Sequence, residues 1–126
     1  MMAGDSIPDD VRDFVVKFID SIAEIEALLL LRRENMLAWS AGSVAERLYV
    51  SPDVAADVLG RLHSHDLLSR EGSHYRYACI APDLSELVDR TAHIYARQLI
   101  PMTHLIHTKP SRIRQFANAF KLRKDT

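Results

Sequence analysis

The chain has 126 residues, 48% of them apolar and 26% charged, with a formal net charge of −1. That length suits one domain with a single modest core, and four Gly and five Pro argue against long loops or a turn-rich all-β fold. One cysteine, Cys79, excludes an intramolecular disulfide and fits a reducing cytoplasm. The polar, acidic start MMAGDSIPDD is unlike a signal or transit peptide. The longest apolar run, Ala27 to Leu31, is far too short for a bilayer. The expectation is a cytoplasmic protein with no membrane partner.

The elements follow in chain order. Pro8 suits a helix start, and Val11, Phe14, Val15, Phe18, Ile19, Ile22, Ile25, Leu28 and Leu29 recur at spacings of three and four. Ser21 and Glu24 match a capping box inside that stripe, which predicts a joint near Asp20 rather than one long helix. Met36 to Trp39 suggests a brief strand. Ser40 caps a short helix with Val44, Ala45 and Leu48 inward. Ser51 then caps the next helix with Pro52 in its first position, and Ala55, Val58, Leu59 and Leu62 face inward. His65-Asp66 closes it.

Residues 67–70 and 74–77 flank Glu71-Gly72-Ser73, a predicted β-hairpin with a three-residue loop. A long helix follows from Pro82, with Leu84, Leu87, Val88, Thr91, Ile94, Tyr95 and Leu99 on one side. Pro101 should kink or end it. Ser111 caps a last helix with Ile113, Phe116 and Phe120 in a stripe. Charge is uneven along this order. Residues 1–31 hold seven acids and two bases, whereas residues 109–126 hold six bases and one acid. Such ends complement helix dipoles, or steer opposite surfaces of two subunits together.

The order of elements, and the phrase LGRLHSHDLLSREGSHYRY in particular, resembles the winged helix-turn-helix of MarR-type and PadR-type bacterial regulators. The resemblance implies a mainly α fold with a small β-hairpin wing, in one domain. The winged core would span residues 36–78, flanked by helices over 8–33, 82–108 and 111–123. It also implies a homodimeric transcriptional regulator that binds double-stranded DNA, since the flanking helices of such proteins build the dimer that spaces two recognition helices.

On that reading Arg61 reads bases, Ser51 and Ser64 touch phosphate, and Arg70, His74 and Arg76 act from the wing. The acids oppose it. Asp53 and Asp57 stand where a DNA reader normally carries donors, and phosphate repels them. The alternative is a winged-helix protein-interaction module that uses the acidic 52–64 helix or the flanking helices. An acidic exposed face on 52–64 favours protein, and a face joined in space to Arg32, Arg33, Arg70 and Arg76 favours DNA.

Enzyme signatures are missing: the chain has no Gly-rich phosphate loop, nucleophile elbow or HExxH. His104 and His107 share a helix face, yet no third ligand stands at a matching offset, so neither metal nor cofactor is expected. Cys79 reads as a small buried hydrophobe.

Overall fold

A computed structural model describes residues 7–108. Helix α1 spans Asp9–Phe18, with Asp9 and Asp10 in its first turn and Lys17 in its last, each complementing the dipole. Ile19 then turns extended and fully buried. Ser21 caps α2, Ile22–Arg33, by accepting from the Glu24 N–H at 3.1 Å. The joint near Asp20 therefore forms as its sequence predicts. The reciprocal half of the capping box is displaced by one residue: the Glu24 carboxylate takes the N–H of Asp20, at 3.0 Å.

Helix α2 is buried on most sides, at Glu24, Ile25, Ala27, Leu28, Leu30 and Leu31. It packs against the helix-turn-helix and the sheet together. The first strand, β1, is only Trp39–Ser40. Met36, Leu37 and Ala38, expected to begin it, are exposed loop. Ser40 caps α3, Ala41–Leu48, in a full capping box whose second partner is Ser43. Tyr49 follows α3 in the left-handed region, φ 58° and ψ 44°, and Val50 donates back to the Ala45 carbonyl.

Helix α4, Pro52–Ser64, starts at Ser51 and buries Ala55, Val58, Leu59 and Leu62. It ends in a Schellman motif: Leu67 N–H donates to the Leu62 carbonyl, Asp66 N–H to that of His63, and Asp66 sits at φ 64°. Strands β2, Leu68–Glu71, and β3, His74–Tyr77, form the wing, and β1 pairs on the far side of β3 to give the antiparallel order β1-β3-β2. Glu71 pairs with His74. The hairpin loop is thus two residues, not three, and its first, Gly72, takes φ +63°, where a side chain would be strained.

Helix α5, Pro82–Arg97, stops four residues before Pro101. The Pro101 ring would clash with the Arg97 carbonyl in a continuous helix, so Gln98 opens to φ −127°, ψ 53° and α6, Leu99–His107, begins afresh. That break turns Leu99 outward; it is 51% exposed although the periodicity placed it on the buried side. Helices α1, α5 and α6 pack on one another beside the winged core. One continuous apolar cluster joins both layers, from Phe14 and Ile19 through Leu28, Leu59 and Leu67 to Val88 and Ile106. The fold is mainly helical, a winged helix-turn-helix core flanked by helices. The final helix expected from Ser111 lies outside the described residues.

Candidate interface of the recognition helix and wing

Inward packing of Ala55, Val58, Leu59 and Leu62 leaves Asp53, Ala56, Asp57 and Ser64 exposed on α4, with Gly60 half-buried among them. Neither Asp53 nor Asp57 forms an ion pair among the described residues. The outer face of this helix is acidic.

Arg61 does not offset those acids. Its guanidinium binds the Asp20 carboxylate, and its Nε lies 3.6 Å from Glu24 Oε1. Glu24 is 1% exposed, so Arg61 is the cation beside a buried carboxylate. Sequence periodicity placed Arg61 outward; the joint between α1 and α2 turns it back towards the core. Ser51 and Ser64 are likewise engaged. The Ser51 hydroxyl accepts from Val54 N–H at 3.1 Å, and the Ser64 hydroxyl donates to the Arg61 carbonyl at 2.7 Å.

In the wing, alternation divides the bases between two faces. Ser69, Glu71, His74 and Arg76 share the outer face, and all are exposed. Arg70 shares the opposite face with Leu68, Tyr75 and Tyr77. Its Nε donates to the Gly72 carbonyl at 2.8 Å, and its guanidinium lies 5.5 Å from the Tyr75 ring centroid. His63 of α4 also meets that ring, edge-on at 6.0 Å. Arg70 is thus bound to its own hairpin, and His74 Nδ1 lies 3.5 Å from the Ser73 hydroxyl, whereas Arg76 projects from the outer face without an ion pair among the described residues.

Of the other bases that could have joined this surface, Arg33 is exposed at the end of α2 with no ion pair among the described residues, and two are committed elsewhere. Arg32 binds Asp89 of α5 at 2.8 Å, and Arg47 binds Glu34 at 2.6 Å while covering Trp39. Sequence reasoning missed two exposed apolar residues beside the acids. Tyr49, in the turn of the helix-turn-helix, is 93% exposed, and Val54 on α4 is 42% exposed. The signal for Tyr49 was its place between the end of α3 and the Ser51 cap, where the backbone must reverse.

Elsewhere, a cleft of about 670 Å³ opens between the winged core and the flanking helices, lined by Phe18, His65, Leu68, Ile80 and Leu84. His65 stacks edge-on against Phe18 at 4.9 Å. Burial pushes the Cys79 thiol and the Tyr77 phenol above their ordinary values. Among the described residues no three His, Cys, Asp or Glu side chains converge as a metal site would need. No helix among them is long and apolar enough to cross a membrane. No protein-family model matches the chain, and comparisons with curated proteins and with solved structures give no match.

Proposed function

We propose that this chain is a winged-helix protein-docking module, in which the face of α4 meets a basic partner segment. One observation carries the reading: Asp20 and Glu24 hold Arg61, which leaves Asp53 and Asp57 exposed and unneutralised on the helix that would otherwise read DNA. Bringing that face against phosphates would cost like-charge repulsion, whereas Arg or Lys side chains would be attracted to it. Tyr49 and Val54 supply apolar area next to the acids, and aromatic anchors with a charged rim are common in protein interfaces.

A photo-cross-linking side chain at Ala56, introduced in the living host, tests this reading. A protein adduct that disappears in Asp53→Lys/Asp57→Lys supports it. Adducts to nucleic acid alone overturn it.

The second reading, a DNA-binding transcriptional regulator acting as a homodimer, rests on the wing. Arg76 and His74 are exposed together on its outer face, where a wing would meet phosphates or the minor groove. Leu99 and Ile100, 51% and 80% exposed at the start of α6, offer apolar area for a second copy. Binding of duplex DNA that weakens with salt and again in Arg76→Ala, followed by fluorescence anisotropy, supports this second reading. It predicts that Arg61 must leave Asp20 before it can reach a base.

A further inference from the structure

Two surfaces of this chain match in charge. The exposed face of α4 carries Asp53 and Asp57, four residues apart and so on one side of the helix, with no free base beside them. Residues 109–126, outside the described residues, carry Lys109, Arg112, Arg114, Lys121, Arg123 and Lys124 against Asp125 alone. The match extends to apolar groups. Tyr49 is exposed in the turn before α4 and Val54 in its first turn, next to Asp53, while the segment also carries Ile113, Phe116 and Phe120.

Other acidic positions fit less well. Asp9 and Asp13 on α1 have Arg12 and Lys17 beside them, and Asp10 is bound by Arg90. On α5, Asp89 is bound by Arg32, and Glu86 has Arg90 one turn on. Asp57 likewise has Arg61 one turn on, but Asp20 and Glu24 hold that guanidinium. Asp83 at the start of α5 is also exposed without an ion pair among the described residues, but the acid one turn on is Glu86, with Arg90 a turn beyond it, whereas Asp53 and Asp57 stand together one turn apart. At Gly60 an added Cβ would meet nothing within 4 Å, so no neighbour in the described fold crowds the helix beside Asp57.

We propose that the basic segment 109–126 docks on the acidic α4 face of its own molecule and competes there with an outside partner. Reach is no obstacle. Eighteen residues span up to about 60 Å when extended, and a domain of about 100 residues has a radius of gyration of about 13 Å. Tethering also holds the segment at an effective concentration in the millimolar range, so modest surface pairing suffices. The inference goes beyond the docking reading: it concerns what covers the face when no partner is bound.

The test uses the full chain with Cys79→Ser and a nitroxide label on Thr126→Cys. Amide signals of ¹⁵N-labelled protein are compared with the reduced label. The expected result is signal loss over α4 around Asp53 to Gly60, relieved by salt and abolished in Asp53→Lys/Asp57→Lys. A triple change of the segment, Lys121→Glu with Arg123→Glu and Lys124→Glu, should abolish it equally. If Cys79→Ser disturbs the amide spectrum, Cys79→Ala replaces it.

Unchanged α4 signals, or losses over Asp9 and Asp13 instead, overturn the proposal. So does loss seen only when unlabelled-nitrogen spin-labelled chains are mixed with ¹⁵N chains, which would place the segment on a second copy. The cross-linking experiment above reads the outside partner independently, so failure of one idea leaves the other standing.

Discussion

Arg61 and Asp20 are 41 residues apart in sequence, yet their side chains are in direct contact where α4 crosses the joint between α1 and α2. Glu24 completes the group, buried, with one oxygen on the Asp20 N–H and the same oxygen 3.6 Å from Arg61. The contact ties the flanking helices to the helix-turn-helix. It also explains why α4 presents acids and no base.

Removing the guanidinium should therefore cost stability. Arg61→Ala leaves the Glu24 carboxylate buried without its cation. The expected loss is about 1–2 kcal/mol, kept small because Arg61 and Asp20 are both partly solvated. Adding Glu24→Gln to that variant should recover part of the loss by removing the charge. Urea unfolding of the three proteins checks this, and an unchanged midpoint in Arg61→Ala would show the contact to be energetically idle.

Tyr49 pays for its position in backbone strain. Its φ of 58° is costly for any residue with a Cβ, and its side chain is 93% exposed, so almost nothing is lost by deleting it. Tyr49→Gly should stabilise the fold by about 1 kcal/mol. The same change should weaken the cross-link at Ala56 if Tyr49 anchors a partner. A more stable protein with undiminished cross-linking would remove Tyr49 from the interface.

Ser51 separates a structural role from a phosphate-binding one. Its hydroxyl accepts from the Val54 N–H, so Ser51→Ala should cost about 1 kcal/mol while Ser51→Asp, also a good cap, keeps stability. Thermal unfolding reads both. If Ser51→Asp left stability intact yet abolished DNA binding in the anisotropy titration, the second reading would gain.

Three acids that burial disfavours in their charged form set the alkaline limit. The Cys79, Tyr77 and Tyr95 groups are all raised, first by desolvation, and Tyr95 further because its hydroxyl donates to Glu26 at 2.5 Å. Their ordinary values are 9.0 for the thiol and 10.0 for the phenols. Folding thus favours the protonated forms. The contribution is complete below those ordinary values and is lost as pH rises through the higher folded ones. Urea midpoints should fall on the alkaline side of about pH 9, less steeply in Tyr95→Phe. Cys79 should also alkylate more slowly than an unhindered thiol at neutral pH, measured by mass spectrometry with iodoacetamide.

Much of the architecture is local, and local signals made it legible. Ser21, Ser40 and Ser51 each start a helix because a hydroxyl satisfies an N–H that the first turn leaves open, and Pro52 needs no such partner. The inward set of α4 follows from spacing alone. Pro101 ends α5 by a clash it carries in its own ring. The wing's loop length was less legible, because Glu71 is as acceptable at the end of a strand as in a turn, and only pairing with His74 decides.

What sequence could not settle is who meets whom across the chain. Periodicity assigns Arg61 to an outer face, but its long side chain reaches Asp20 and Glu24 once α2 packs on α4. The same holds for Arg32 on Asp89 and Arg47 on Glu34. Capping, turn and proline signals depend on bonds to near neighbours, so the sequence by itself determined the helices, the wing and the acids of α4. Ion pairs depend on where distant elements dock, and only the tertiary structure decided that those acids stand without a base.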